Sequence, residues 1–275
     1  MTDYAKCRVL VTGATGYIGS RLVPELLERG FTVRVLTRNR SKVASRAWVD
    51  RVEIVEGDAT SNDALDRACN GVDIAYYLLH SMDGEGDFVE RDRELARRFG
   101  LAAQRAKIGR IIYLSGLHPE GELSDHLASR VEVGHLLMAS GVPTAVLQAA
   151  VIIGSGSASF EMLRHLTTRL PIMVTPKWLG NRIQPIGVAD VLDLLIAAVD
   201  LPPEVNRAFD IAGPDVLTYR EMIERFAERT GLRPRKIVTV PVLTPMLASH
   251  WVGLVTPVPT GLAKPLVGSL LHEVV

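Results

Sequence analysis

VLVTGATGYIGSRLVPELLERG, residues 9–30, is the stretch that decides the fold. A short apolar, β-branched run ends on Gly13, then Gly16 and Gly19 follow at intervals of three, and a helical pattern begins at once. Each glycine has a mechanical reason in that context. Gly13 permits the tight turn, Gly16 lets backbone approach a pyrophosphate, and Gly19 lets helix pack closely on strand. The anion would sit on the free N–H groups and positive dipole end of the helix. Strand, spacing, helix and following strand all agree, which lifts the pattern above a chance cluster of turn glycines.

Working outward, short apolar runs alternate with longer helical patterns: FTVRVLTR, VEIVEGD, VDIAYYLL, RIIYLSG and PTAVLQAAVIIG follow the first strand. Such a βαβ series predicts a parallel sheet covered on both faces. Gly30 and Gly109 stand where helices should stop. Past about residue 154 the rhythm loosens. Gly154-Ser155-Gly156-Ser157 opens a loop, VADVLDLLIAAVDL reads as a helix, and TYREMIERFAERTG as another, capped by Thr218 with Glu221 three residues on. The expected fold class is α/β, a Rossmann-type doubly wound parallel sheet with a small C-terminal substrate lobe. The core is expected over residues 1–153 and the lobe with its apolar end over 154–275, integrated as one domain.

The chain has 275 residues, 47% of them apolar, enough for a full-sized core. Its 31 basic residues balance 31 acidic ones, so nothing draws it globally to nucleic acid or anionic lipid. Cys7 and Cys69 are far apart and in no metal-binding spacing, which argues against a disulfide framework and a zinc site; no metal is expected. A reducing, cytoplasmic compartment follows, and the first residues offer no secretory signal. The excess of arginine over lysine is what a GC-rich bacterial genome gives.

Residues 237–271 hold only His250 and Lys264 as ionisable groups, and five prolines interrupt them. Those prolines argue against a membrane-spanning helix. The segment is expected to pack on the lobe, or to serve as a docking surface for a homodimer or a protein partner; membrane-surface contact is the lesser alternative. The chain ends at HEVV without a polar tail, as a longer protein cut at this point does.

For the cofactor, Thr12, Gly13, Thr15, Gly16, Tyr17, Ile18 and Gly19 form the expected phosphate loop. At the end of the second strand, where an acidic residue would meet a ribose 2′-hydroxyl, stand Leu36-Thr37-Arg38-Asn39-Arg40-Ser41-Lys42. With no carboxylate there, Arg38, backed by Arg40 or Lys42, favours the 2′-phosphate of NADP(H) over NAD(H), set against an ordinary solvated basic loop. Asp58, beside Ala59, is placed to accept from an adenine amino group, or else to cap a helix.

With these residues in view, the sequence resembles the atypical and extended short-chain dehydrogenases/reductases, the NAD(P)H-binding, NmrA-like and nucleoside-diphosphate-sugar-epimerase-like proteins. TGATGYIGS, GDATSNDAL, RIIYLSG and PIGVADV carry the resemblance across about residues 6–230. It implies pyrophosphate at residues 12–19, adenine at Asp58 and Ala59, the nicotinamide ribose at residues 78–82, including Leu79 and His80, and Ser115 beside a substrate carbonyl.

The same resemblance implies a tyrosine and a lysine four residues later, and this sequence contains no Tyr-x-x-x-Lys. Where the pair should fall stand His126 and Arg130, at the same spacing with different chemistry. Three readings stand side by side: a substituted acid/base pair with Ser115, an Arg130 cofactor clamp without catalysis, or two residues of a surface helix. His80, Ser81 and His118 also follow strand ends, where ligands of open α/β sheets bind. The functional readings are an NADP(H)-dependent oxidoreductase on a small carbonyl or alcohol, with His80 or His126 supplying the proton; a non-catalytic NADP(H) sensor of NmrA type; and, last, an enzyme acting on a nucleotide sugar. Phe160, Met162, Met173 and Trp178 are candidates for an apolar substrate pocket or for plain core.

Overall fold

The computed structural model describes residues 4–80, 88–117, 124–240, 256 and 273. In chain order the elements are β1 (Arg8–Thr12), α1 (Gly19–Glu28), β2 (Thr32–Thr37), α2 (Ser41–Ala44), β3 (Glu53–Glu56), α3 (Asn62–Cys69), β4 (Ile74–Tyr77), α4 (Phe88–Arg105), β5 (Arg110–Gly116), α5 (Asp125–Met138) and β6 (Thr144–Ala149). They continue as β7 (Ile152–Ile153), α6 (Ala158–Arg169), β8 (Ile172–Pro176), β9 (Arg182–Ile183), β10 (Ile186–Gly187), α7 (Val188–Ala197), β11 (Arg207–Ile211), β12 (Leu217–Thr218), α8 (Tyr219–Arg229) and β13 (Lys236–Val240).

Seven strands form the main sheet, in the order β11-β6-β5-β4-β1-β2-β3. β1 lies parallel between β2 and β4, in a register that sets Val11 opposite both Val35 and Tyr76. The order reverses between β1 and β4, which creates a crevice at the carboxyl ends of the strands. Val9, Leu10 and Val11 are fully buried, as a strand covered on both faces requires. Each such side chain contributes roughly 1.5–3 kcal/mol by leaving water. Tyr77, Phe99 and Tyr113 pack as an aromatic trio, with ring centroids 4.9 and 5.9 Å from that of Tyr77. The predicted doubly wound architecture is therefore present. β11, RAFDI, is a seventh strand that was not among the apolar runs of the sequence.

Two compact units make up the chain. One comprises Met1–Gly116, Ser129–Gln148 and Ala189–Asp210, and the other Leu117–Ala128, Ala149–Val188 and Ile211–Val275. In the second unit β8 pairs with β13 in parallel, β7 with β10 in parallel and β9 with β12 antiparallel. Met162 and Met173 are buried in its core, and Phe160 and Trp178 pack against that core. Of the four candidate pocket residues of this lobe, the two methionines are thus core and the two aromatic residues flank it. Ile172, Val174 and Val238 are exposed on the β8–β13 pair.

Helix ends follow the local chemistry. Thr218 and Glu221 form the expected capping box of α8. Gly30 follows α1 with φ +91°, the left-handed stop the sequence implied. At α4 the expectation of Gly109 is corrected. The helix ends at Arg105, Lys107 takes the left-handed conformation at φ 57°, and Gly109 instead donates its N–H to Asp73 O. Of the described helices none is long and apolar enough to cross a membrane. Residues 237–271 lie outside the described residues, apart from 237–240 and Thr256.

Candidate functional site

A cleft of about 860 Å³ lies in the first unit, within the range of cofactor pockets. Its floor is the loop after β1. Gly13 has φ +71°, and a Cβ there would come 2.5 Å from Leu78 O; a Cβ on Gly19 would come 2.4 Å from Gly13 O. Nothing but glycine fits either position. The N-terminus of α1 carries no side-chain cap and no acidic residue in its first turn, which leaves its positive end to an external anion. The loop therefore fits a pyrophosphate on geometry alone.

Gly13, Thr15, Gly16, Tyr17, Ile18 and Gly19 all line the cleft. Thr12 does not. It is fully buried, donating its hydroxyl to Tyr76 O at 3.0 Å and accepting from the N–H of Leu78 at 3.1 Å, so it ties β1 to the exit of β4. At the end of β2, Arg38 and Lys42 line the cleft, whereas Arg40 is not among its lining residues. Asp58 and Ala59 form the next wall. The Asp58 carboxylate accepts from the N–H and the hydroxyl of Thr60, both at 2.8 Å. The Thr60 N–H holds its carboxyl below the ordinary range, and the nearby Arg38 charge adds to this. Ser61, not Asp58, caps α3.

The profile of the family described as NAD(P)H-binding matches residues 13–153. The chain belongs to that NAD(P)H-binding family. Ceramide reductase of Caulobacter vibrioides is 30% identical over 282 residues, spanning 99% of this chain and 86% of that protein. (4-Alkanoyl-5-oxo-2,5-dihydrofuran-3-yl)methyl phosphate reductase of Streptomyces griseus is 28% identical over 232 residues, 81% of this chain and 74% of that one. Among solved structures, the NADPH-dependent quinone oxidoreductase of Escherichia coli, complexed with NADPH, has the same fold. It superposes with a TM-score of 0.75 at 19% identity, covering 96% of this chain and 88% of that chain.

At the other end of this cleft, β4 delivers Leu78, Leu79 and the exposed His80, all lining it. Arg130, half-buried on α5, lines it as well. Its guanidinium donates to Leu114 O and stands 5.1 Å from the centroid of the Tyr113 ring. Its main-chain carbonyl accepts from Tyr113 OH at 3.1 Å and from Ser115 Oγ at 3.3 Å. Strand alternation explains the Ser115 arrangement: Leu114 faces the cleft, and Ser115, only 4% exposed, faces α5. His126 belongs to the second unit and is not among the lining residues. Ser81, Met82 and His118 lie outside the described residues.

Among the lining residues that sequence reasoning missed are Arg91 and Leu95, on α4. The signal was there. A helix returning from β4 starts at the carboxyl edge of the sheet, so its first two turns overlook the crevice.

Proposed function

We propose that the protein is an NADP(H)-dependent oxidoreductase acting on a carbonyl or alcohol carbon. The observation that carries this reading is one cleft with two chemically different ends: Arg38 and Lys42 at one, His80 and Arg130 at the other. NADP(H) is favoured over NAD(H) because both side chains at the ribose end of the cleft are cationic, and guanidinium pairs well with phosphate. Asp58 accepts from the adenine amino group. The nicotinamide, when bound, supplies or accepts the hydride.

His80 is the titratable side chain facing the reacting end, and it gives the substrate oxygen its proton during reduction. Arg130 holds the ribose or the developing oxyanion without titrating. Ser115 acts through Arg130, by fixing its carbonyl. The near full-length relative acts, by its name, on ceramide, so the first substrates to offer are lipid-borne ketones of that class, followed by small ketones.

The test combines calorimetric titration with the four nicotinamide dinucleotides and a scan for NADPH oxidation against those ketones. Tight NADPH binding with turnover, lost in His80→Ala and kept in His126→Ala, is the expected result. Tight binding without any turnover favours the sensor reading, with a protein partner docked through residues 237–271; no binding defeats both.

A further inference from the structure

Resting on the dinucleotide reading, we infer that Arg91 covers the adenine base of the cofactor from the α4 side and reads the ring rather than a phosphate. Three residues of α4 fix its position. Arg91, Leu95 and Arg98 stand at i, i+4 and i+7, on one narrow stripe of the helix. Arg98 donates to Thr60 O at 2.8 Å, so the stripe faces the corner that contains Asp58, Ala59 and Thr60. Leu95 and Arg91 line the cleft above that contact, and Arg91 stands about 10 Å farther toward the carboxyl edge of the sheet than Arg98 at a rise of 1.5 Å per residue.

The corner is a slot with two different walls. Arg38 and Lys42 come from the β2 side within one short segment, and the Arg38 charge is felt at Asp58. The α4 wall presents an apolar side chain, Leu95, followed one turn nearer the mouth by a guanidinium. A 2′-phosphate seeks paired cations and shuns an aliphatic neighbour, so it belongs with Arg38 and Lys42. A purine seeks an apolar surface and a flat cation for its face, which is what Leu95 and Arg91 together offer. The adenine then lies between Ala59 and Leu95 with Arg91 over its outer face.

The experiment titrates NADPH and NADH into the wild type and the Arg91→Ala, Arg91→Lys and Arg38→Ala variants, with melting curves to check folding. Arg91→Ala is expected to weaken both dinucleotides alike, by about tenfold, as loss of a partly desolvated cation–π contact does. Arg91→Lys is expected to lose about as much, because it keeps the charge without the plane, while Arg38→Ala weakens NADPH alone. The assignment is overturned if Arg91→Lys binds like wild type, if Arg91→Ala weakens NADPH but not NADH, or if neither variant changes affinity. A wild type that binds neither dinucleotide sinks the functional reading itself, an outcome distinct from all of these.

Discussion

The two ends of the main sheet use the same residue type for opposite purposes. At the amino ends of the strands, arginines are spent on the protein's own backbone. Arg110 donates to Val205 O, Leu201 O and Pro202 O at 2.9, 3.0 and 2.6 Å. Arg34 holds Arg67 O, Ala68 O and Asn70 O, and pairs with Glu53 at 2.8 Å; Arg8 reaches Gly71 O. At the carboxyl ends, Arg38, Lys42, Arg91 and Arg130 line a cleft. An arginine ringed by carbonyls is a structural rivet, and one lining an open cleft is placed to meet a ligand. Composition alone does not separate them.

The sharpest way to break this contrast is at Gly13. Gly13→Val places a branched side chain at φ +71° against Leu78 O, at a cost of at least about 3 kcal/mol. We expect loss of NADPH binding together with a fall in the urea midpoint; unchanged binding would mean that the loop is not the phosphate cradle. Next comes a pair of arginines. Arg110→Ala strands three carbonyls at a site 3% exposed, and should destabilise the fold by about 3 kcal/mol in urea. Arg38→Ala should leave that midpoint in place and weaken NADPH about tenfold or more, as loss of a charge-assisted hydrogen bond does. Equal effects of the two variants on stability would erase the distinction.

A smaller effect comes from the thiols of the packed end. Burial pushes Cys69 up to about 12, and burial followed by the Asp73 charge pushes Cys7 up to about 11, from an ordinary 9.0. Because the folded thiols keep their protons where unfolded ones lose them, this stability is complete below pH 9.0 and is lost as the pH rises toward those values. The urea midpoint should therefore decline on going above pH 9.0, and decline less steeply in Cys69→Ala. Smallest of all, Lys107→Gly relieves a left-handed residue at φ 57° and should raise stability by about 0.5–1 kcal/mol in the same assay.

How much of this was legible depended on whether the controlling force was local. The Gly13–Gly19 loop and the Thr218–Glu221 box were readable because each carries a signature within a few residues, although the space at Gly13 is closed by the distant Leu78 O. β11 was not, since RAFDI carries two charges and little apolar pattern. Its approach is held by distant partners: Arg110 on residues 201–205, and Asn206 Oδ1 accepting from the N–H of Thr144 at 3.0 Å. Gly109 looked like a helix stop because glycine usually takes that role, yet Lys107 tolerates the strain two residues earlier. At the reacting end, motif order singled out Ser115, whereas strand alternation turns its hydroxyl toward Arg130 O. Arg91 was hidden by the same limit, because a helix stripe says which residues share a face but not what that face meets.

The seat of α5 at Arg130 has a consequence for exchangeability. Tyr113 and Ser115 grip residue 130 by its carbonyl, which every amino acid possesses. The position therefore behaves as a socket anchored by backbone, to which the guanidinium adds its own contacts with Leu114 O and the Tyr113 ring. Because the carbonyl grip does not depend on the side chain, a lysine there would keep that anchor while losing the guanidinium's contacts, so the chemistry at that end of the cleft can change while the helix keeps its main-chain hold.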